Sequence, residues 1–176
     1  MINLRGYQQL IAVDPGKSLG YAFWYAYHFD AIACPPNKSG VIKGKTTFRG
    51  DDEMVYAEKM ADCMHRLHKE IDTEVPTAIV CEWPSYFQSA KGQKSADRGD
   101  LVKLSVAVGM VAGLAAQVGA VFYPVRVNTW KGQLSKATVI RRIKRQLGDK
   151  ACSGFVDDEW DAVGVGLWAK RTLCQS

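Results

Sequence analysis

No Cys-x-x-Cys pair occurs in this 176-residue chain, and its five cysteines (Cys34, Cys63, Cys81, Cys152 and Cys174) are scattered and odd in number. That pattern argues against a disulfide framework and for free thiols in a reducing, cytoplasmic setting. Cys63, His65 and His68 are near enough in sequence to suggest zinc. Positions 63 and 65, however, point to different faces of a helix, so no zinc site is expected there. The N-terminus lacks a basic segment followed by an apolar one, and the longest apolar stretches carry glycines and read as too short to cross a bilayer. No membrane partner is expected. Internal repeats and low-complexity tracts are also missing. What is present suits one domain over residues 1–176: 47% of residues are hydrophobic, enough for a real core, and the formal charge of +5 is a mild pull toward polyanions.

The chain is organised around Ile11-Ala12-Val13-Asp14-Pro15-Gly16-Lys17-Ser18-Leu19-Gly20-Tyr21-Ala22. An apolar run delivers one carboxylate to its end, a Pro-Gly turn follows, and a second β-like run leaves after Gly20, which reads as a hairpin with an acid at its rim. An acid buried within the strand would cost several kcal/mol without a partner, roughly, whereas at the strand end it can face solvent. Residues 8–14 and 19–27 read as strands, residues 31–40 as a loop, and residues 41–48 as a third strand of an antiparallel meander. A helix is expected over 51–71, with an apolar stripe of Met54, Ala57, Met60, Ala61, Met64 and Leu67. After Pro76, Thr77 to Glu82 form a strand that again ends in a carboxylate. A helix over 100–117, a strand over 121–123, a basic loop over 124–135, a helix over 136–147 and a last helix from Asp157 follow. This order predicts an α/β fold, a mixed five-stranded sheet flanked by helices.

A strand that follows a crossover helix is normally parallel to its neighbour, so the fourth strand can lie beside the first and bring Asp14 and Glu82 to one rim. Asp158 and Asp161, spaced i, i+3, share a face of the last helix and can join them. At about 4 Å and an effective dielectric near 20, each like-charge pair costs on the order of 4 kcal/mol, so such a cluster needs cations. Lysines or arginines could serve. Hard divalent ions answer more directly, because two of them roughly 4 Å apart hold the attacking and leaving oxygens of a phosphodiester.

Val13-Asp14-Pro15-Gly16 with Gly20-Tyr21, the strand-ending Glu82, and Asp158-x-x-Asp161-Ala162 closely resemble the RuvC family of Holliday junction resolvases, over residues 10–169. Asn128-Thr129-Trp130-Lys131-Gly132-x-x-x-Lys136 is similar to the version in phage-encoded members. The resemblance implies a ribonuclease H-like fold, a homodimer, and resolution of four-way DNA junctions by paired cuts leaving 5′-phosphate and 3′-hydroxyl, in a bacterial cell or a phage-infected host. It implies Asp14, Glu82, Asp158 and Asp161 as metal-binding catalytic acids, two Mg²⁺ per site with Mn²⁺ able to substitute, and Lys136 as the basic residue of the catalytic groove. The second groove lysine of bacterial RuvC lies nearer the fifth strand, where this chain has Asn128. That leaves open whether Lys131 takes its place.

Candidate DNA contacts are Tyr86 and Phe87, which would meet the junction centre or anchor a loop, then Lys91 and Lys94 behind them, and Arg126, Trp130, Lys131, Lys136 and Arg142 in the basic stretch. A less specific nuclease of the same fold that cuts branched DNA is an alternative. Asp14-x-Gly16-x-x-x-Gly20 also resembles the phosphate loop of actin-like ATPases, but one copy in 176 residues argues against a nucleotide cofactor. A DNA-binding module without catalysis is a third reading, weakened because four acids would repel phosphate unless metals used them. The strip Ser105, Gly109 and Gly113, with Val106, Met110 and Leu114 beside it, is the expected dimer face, or else packs on the protein's own sheet.

Overall fold

The structure, a computed structural model, describes residues 6–25, 34–47, 49, 52–84 and 100–173. Five strands, β1 (Gln9–Pro15), β2 (Leu19–Tyr25), β3 (Lys38–Ile42), β4 (Thr77–Trp83) and β5 (Val121–Arg126), form one sheet in the order β3-β2-β1-β4-β5. β1, β2 and β3 are antiparallel neighbours, and β4 and β5 run parallel to β1, as the crossover helices require.

Alternation along β1 divides the core. Ile11 and Val13 face α1 (Asp52–His68) and α2 (Asp100–Gln117), while Leu10 and Ala12 face α4 (Lys136–Leu147) and α5 (Asp157–Leu173). A single turn, α3 (Val127–Trp130), joins β5 to the segment before α4. Asp14 has the parity of Leu10 and Ala12, and Glu82 that of Ala78 and Val80. Both carboxylates therefore belong to the α5 side.

Two strand boundaries and the buried face of one helix differ from the sequence expectation. The third strand lies earlier, over Lys38–Ile42, because Ile42 pairs with Leu19 and β2 offers no residue beyond it. The following residues turn onto α1 instead: the Arg66 guanidinium donates to the Lys43 carbonyl at 2.9 Å, and the Lys45 amide donates to Asp62 Oδ2 at 3.0 Å. β5 runs through Pro124 to Arg126, where a loop was expected. At the sheet edge a missing N–H need not remove a ladder bond. The stripe of α1 is rotated: Cys63 is buried with Met60, Met64 and Leu67, and Met54 is exposed at the helix start. By length and composition α2 could also cross a bilayer, contrary to expectation, yet its Ala107, Val108, Val111, Leu114 and Ala115 are buried in the core.

α5 is buried along most of its length, and one glycine lets its first turn reach the sheet. A Cβ added at Gly20 would lie 2.1 Å from the Asp158 carbonyl oxygen, so only glycine permits this approach. Because the clash is with backbone and cannot be relieved by a rotamer, Gly20→Ala is expected to lower stability by about 1–3 kcal/mol, measured by urea unfolding.

Candidate active site at the rim of the parallel strands

Val13 pairs with Cys81, which sets Asp14 and Glu82 side by side where β1 and β4 end. Tyr56 fixes the turn beyond Asp14, its hydroxyl donating to the Gly16 carbonyl at 3.0 Å. The start of α5 divides its acids among separate tasks. Asp157 is exposed, Asp158 and Asp161 reach the electrostatic field of Asp14, and Trp160 enters the core. Glu159, which the sequence reading passed over, is a buried tie: Ser39 Oγ donates to one of its oxygens at 2.6 Å and the Val156 amide to the other at 3.2 Å. Its only advance signal was its place three residues after Val156, the reach of a capping side chain.

Glu82, Asp158 and Asp161 thus all lie within electrostatic reach of Asp14. Burial pushes the Asp14 carboxyl well above the usual carboxylate range, and the charges of Glu82, Asp161 and Asp158 push it further, with Lys136 opposing. Among the described residues no hydrogen-bond donor is paired with the Asp14 carboxylate. Burial, followed by the charge of Asp161, raises Glu82 to about 7, with Trp130, Lys131 and Lys136 opposing.

Asp161 is held differently. Lys131 Nζ meets its Oδ1 at 3.0 Å and Lys136 Nζ meets its Oδ2 at 3.0 Å, while Lys136 also reaches Asp157 at 3.2 Å. Burial tends to lower the Lys136 pKa, but the hydrogen bonds to Asp161 and Asp157 raise it overall. Lysines therefore neutralise part of the cluster, as one sequence reading allowed. As the side chains stand, no three His, Cys, Asp or Glu among the described residues surround one point. The donor set still suits a hard divalent cation: it offers carboxylate oxygens, and among the described residues neither Asp14 nor Glu82 is held in an ion pair as Asp161 is.

The expected DNA contacts divide into four groups. Lys131 and Lys136 are in the cluster, and Arg126, paired with Trp83, stands exposed at the same rim. Arg142 is exposed on α4 beside Arg141, Lys144 and Arg145. Trp130 is turned inward: it packs on the core and its indole N–H donates to Glu82 Oε2 at 2.8 Å. Tyr86, Phe87, Lys91 and Lys94 lie outside the described residues.

Because the folded pKa of Glu82 lies above its ordinary 4.5, the stability it contributes is present below pH 4.5 and is lost as pH rises to about 7. A shift of this size is on the order of 3 kcal/mol. In metal-free buffer, Glu82→Gln is expected to gain stability relative to the parent between pH 4.5 and pH 8. Paired thermal melts at the two pH values check it.

Neither a protein-family model nor a curated protein sequence matches the chain. Solved structures do. RuvC of Thermus thermophilus in complex with a Holliday junction substrate superposes with a TM-score of 0.65 at 18% identity, covering 96% of both chains. The yeast mitochondrial Holliday junction resolvase Ydc2 gives 0.57 at 14% identity, over 99% of this chain and 82% of its own. The fowlpox virus Holliday junction resolvase gives 0.50 at 14% identity, over 94% and 99%. These likenesses, together with the strand order and the helices on both faces, give this chain the ribonuclease H-like fold of RuvC.

Proposed function

We propose that this chain is a single-domain, divalent-metal-dependent endonuclease that cuts branched DNA, and that a four-way junction is its substrate. The observation that supports the reading is that the charges of Glu82, Asp158 and Asp161 all bear on Asp14 where β1 and β4 end, on a fold like that of RuvC, with basic side chains alongside. Asp14, Glu82, Asp158 and Asp161 would hold the ion or ions, Mg²⁺ or Mn²⁺, which when bound supply Lewis-acid activation of water and neutralise charge on the phosphodiester. Lys136 brings positive charge to the same place, where an approaching phosphate would meet it. Arg126 at the rim and Arg142 along α4 extend the basic surface for the DNA backbone. A binding module without catalysis is disfavoured, since a partly desolvated acid cluster would only repel phosphate.

The decisive experiment is Asp14→Asn. Cleavage of a four-way junction in Mg²⁺ is expected to be abolished while junction affinity in EDTA is kept or raised, because a repulsive charge is removed. Gel assays of cutting and binding read both, and equal loss of both would count against the proposal.

Paired cuts on symmetry-related strands call for two sites, and a two-fold homodimer is the simplest assembly that supplies them. The small-residue strip of α2 supports this, because it does not pack on the protein's own sheet. Ser105, Gly109 and Gly113 are exposed, the two glycines have open space where a Cβ would stand, and Val102 and Val106 are 61% and 40% exposed beside them. Leu114, expected on this face, is instead buried toward the core. Gly109→Glu is expected to give a folded monomer that nicks junctions without coordinated paired cuts, checked by sedimentation and a cruciform plasmid assay.

A further inference from the structure

Trp130 stands 48 positions from Glu82 in sequence, yet its indole N–H meets Glu82 Oε2 at 2.8 Å. The ring is fixed from behind by α5. A Cβ added at Gly164 would lie 2.6 Å from Trp130 Cζ3 and 3.1 Å from Cη2, so the glycine is the space the indole occupies. The packing side of the ring is continuous with the α4 and α5 core. On its other neighbour, Lys131 Nζ lies 5.4 Å from the ring centroid while holding Asp161 at 3.0 Å. One indole therefore touches one acid of the cluster and the lysine partner of another.

The chemistry of the donor matters. An indole N–H only donates and carries no charge, so it can orient a carboxylate without cancelling the negative charge that would attract a cation. Asp161, by contrast, has a lysine on each oxygen. Among the described residues no donor is paired with Glu82 Oε1. We infer that Trp130 is the positioning residue for Glu82: packed against Gly164, it fixes Oε2 and leaves Oε1 available to a divalent cation. This rests on the nuclease reading and gives Trp130 a task other than the DNA contact expected from sequence.

Two variants test it. Trp130→Phe keeps an aromatic ring and removes the N–H. Gly164→Ala keeps every polar group and displaces the indole from behind. Mn²⁺ binding is measured calorimetrically without DNA, alongside the Mg²⁺ concentration for half-maximal junction cleavage and the thermal midpoint in EDTA. Removing an outer partner of a metal ligand typically weakens metal affinity or activity by about 10–100-fold. Both variants are expected to bind Mn²⁺ at least about tenfold more weakly and to need correspondingly more Mg²⁺, with Trp130→Phe keeping its thermal midpoint. Parent-like Mn²⁺ affinity in a folded Trp130→Phe would overturn the positioning role alone; should that variant not fold, the same result with Gly164→Ala does so. A parent that binds no Mn²⁺ would overturn the nuclease reading and this inference with it.

Discussion

Repulsion among carboxylates is the constraint on which the rest of this structure turns. Asp14, Glu82, Asp158 and Asp161 act on one another through partly desolvated space, and a fold without compensation would separate them. The chain answers unevenly. Asp161 receives two lysines, Glu82 receives a neutral indole, and no donor among the described residues is paired with Asp14. The positive charge is placed at the helix that brings acids in, while the carboxylate at the end of β1 has no ion pair among the described residues. An arrangement that served only stability would neutralise Asp14 first.

The rigidity needed to hold such a cluster comes from α5. Few helices are buried on nearly every side, and this one can be because glycines stand where it meets bulky or backbone neighbours. Gly20 admits its first turn to the β1–β2 hairpin, Gly164 admits Trp130, and Glu159 ties the same turn to β3 through Ser39. Close backbone approach fixes the height of Asp158 over the sheet more firmly than a side-chain contact could, since there is no rotamer to yield.

Much of this was legible in the sequence because it depends on local rules. Asp14 and Glu82 end apolar runs, and strand alternation with a parallel crossover is enough to place them together; Asp158 and Asp161 follow from helical spacing. Lys136 was marked by its motif. What stayed hidden depends on partners distant in sequence. The true extent of β3 is set by where β2 begins, not by alternation in residues 41–48. Pro124 looked like a strand breaker until β5 proved to be an edge. Trp130 beside a run of basic residues looked like a nucleic-acid contact, and only the gap at Gly164 and the position of Glu82 reveal its inward orientation. The neighbours' identities of 14–18% fit this division, since alternation and helix spacing can be met by many sequences.

The two borders of the sheet carry a consequence for association. β3 at one border is five residues long with Lys38 at its start, and β5 at the other is interrupted by Pro124, which has no amide hydrogen to offer an incoming strand. Short, charged or proline-bearing borders discourage strand-to-strand addition and the open-ended stacking it leads to. Copies of this protein that meet in a crowded solution are therefore steered away from pairing through their sheets, leaving helical surfaces as the places where self-recognition can remain finite and closed.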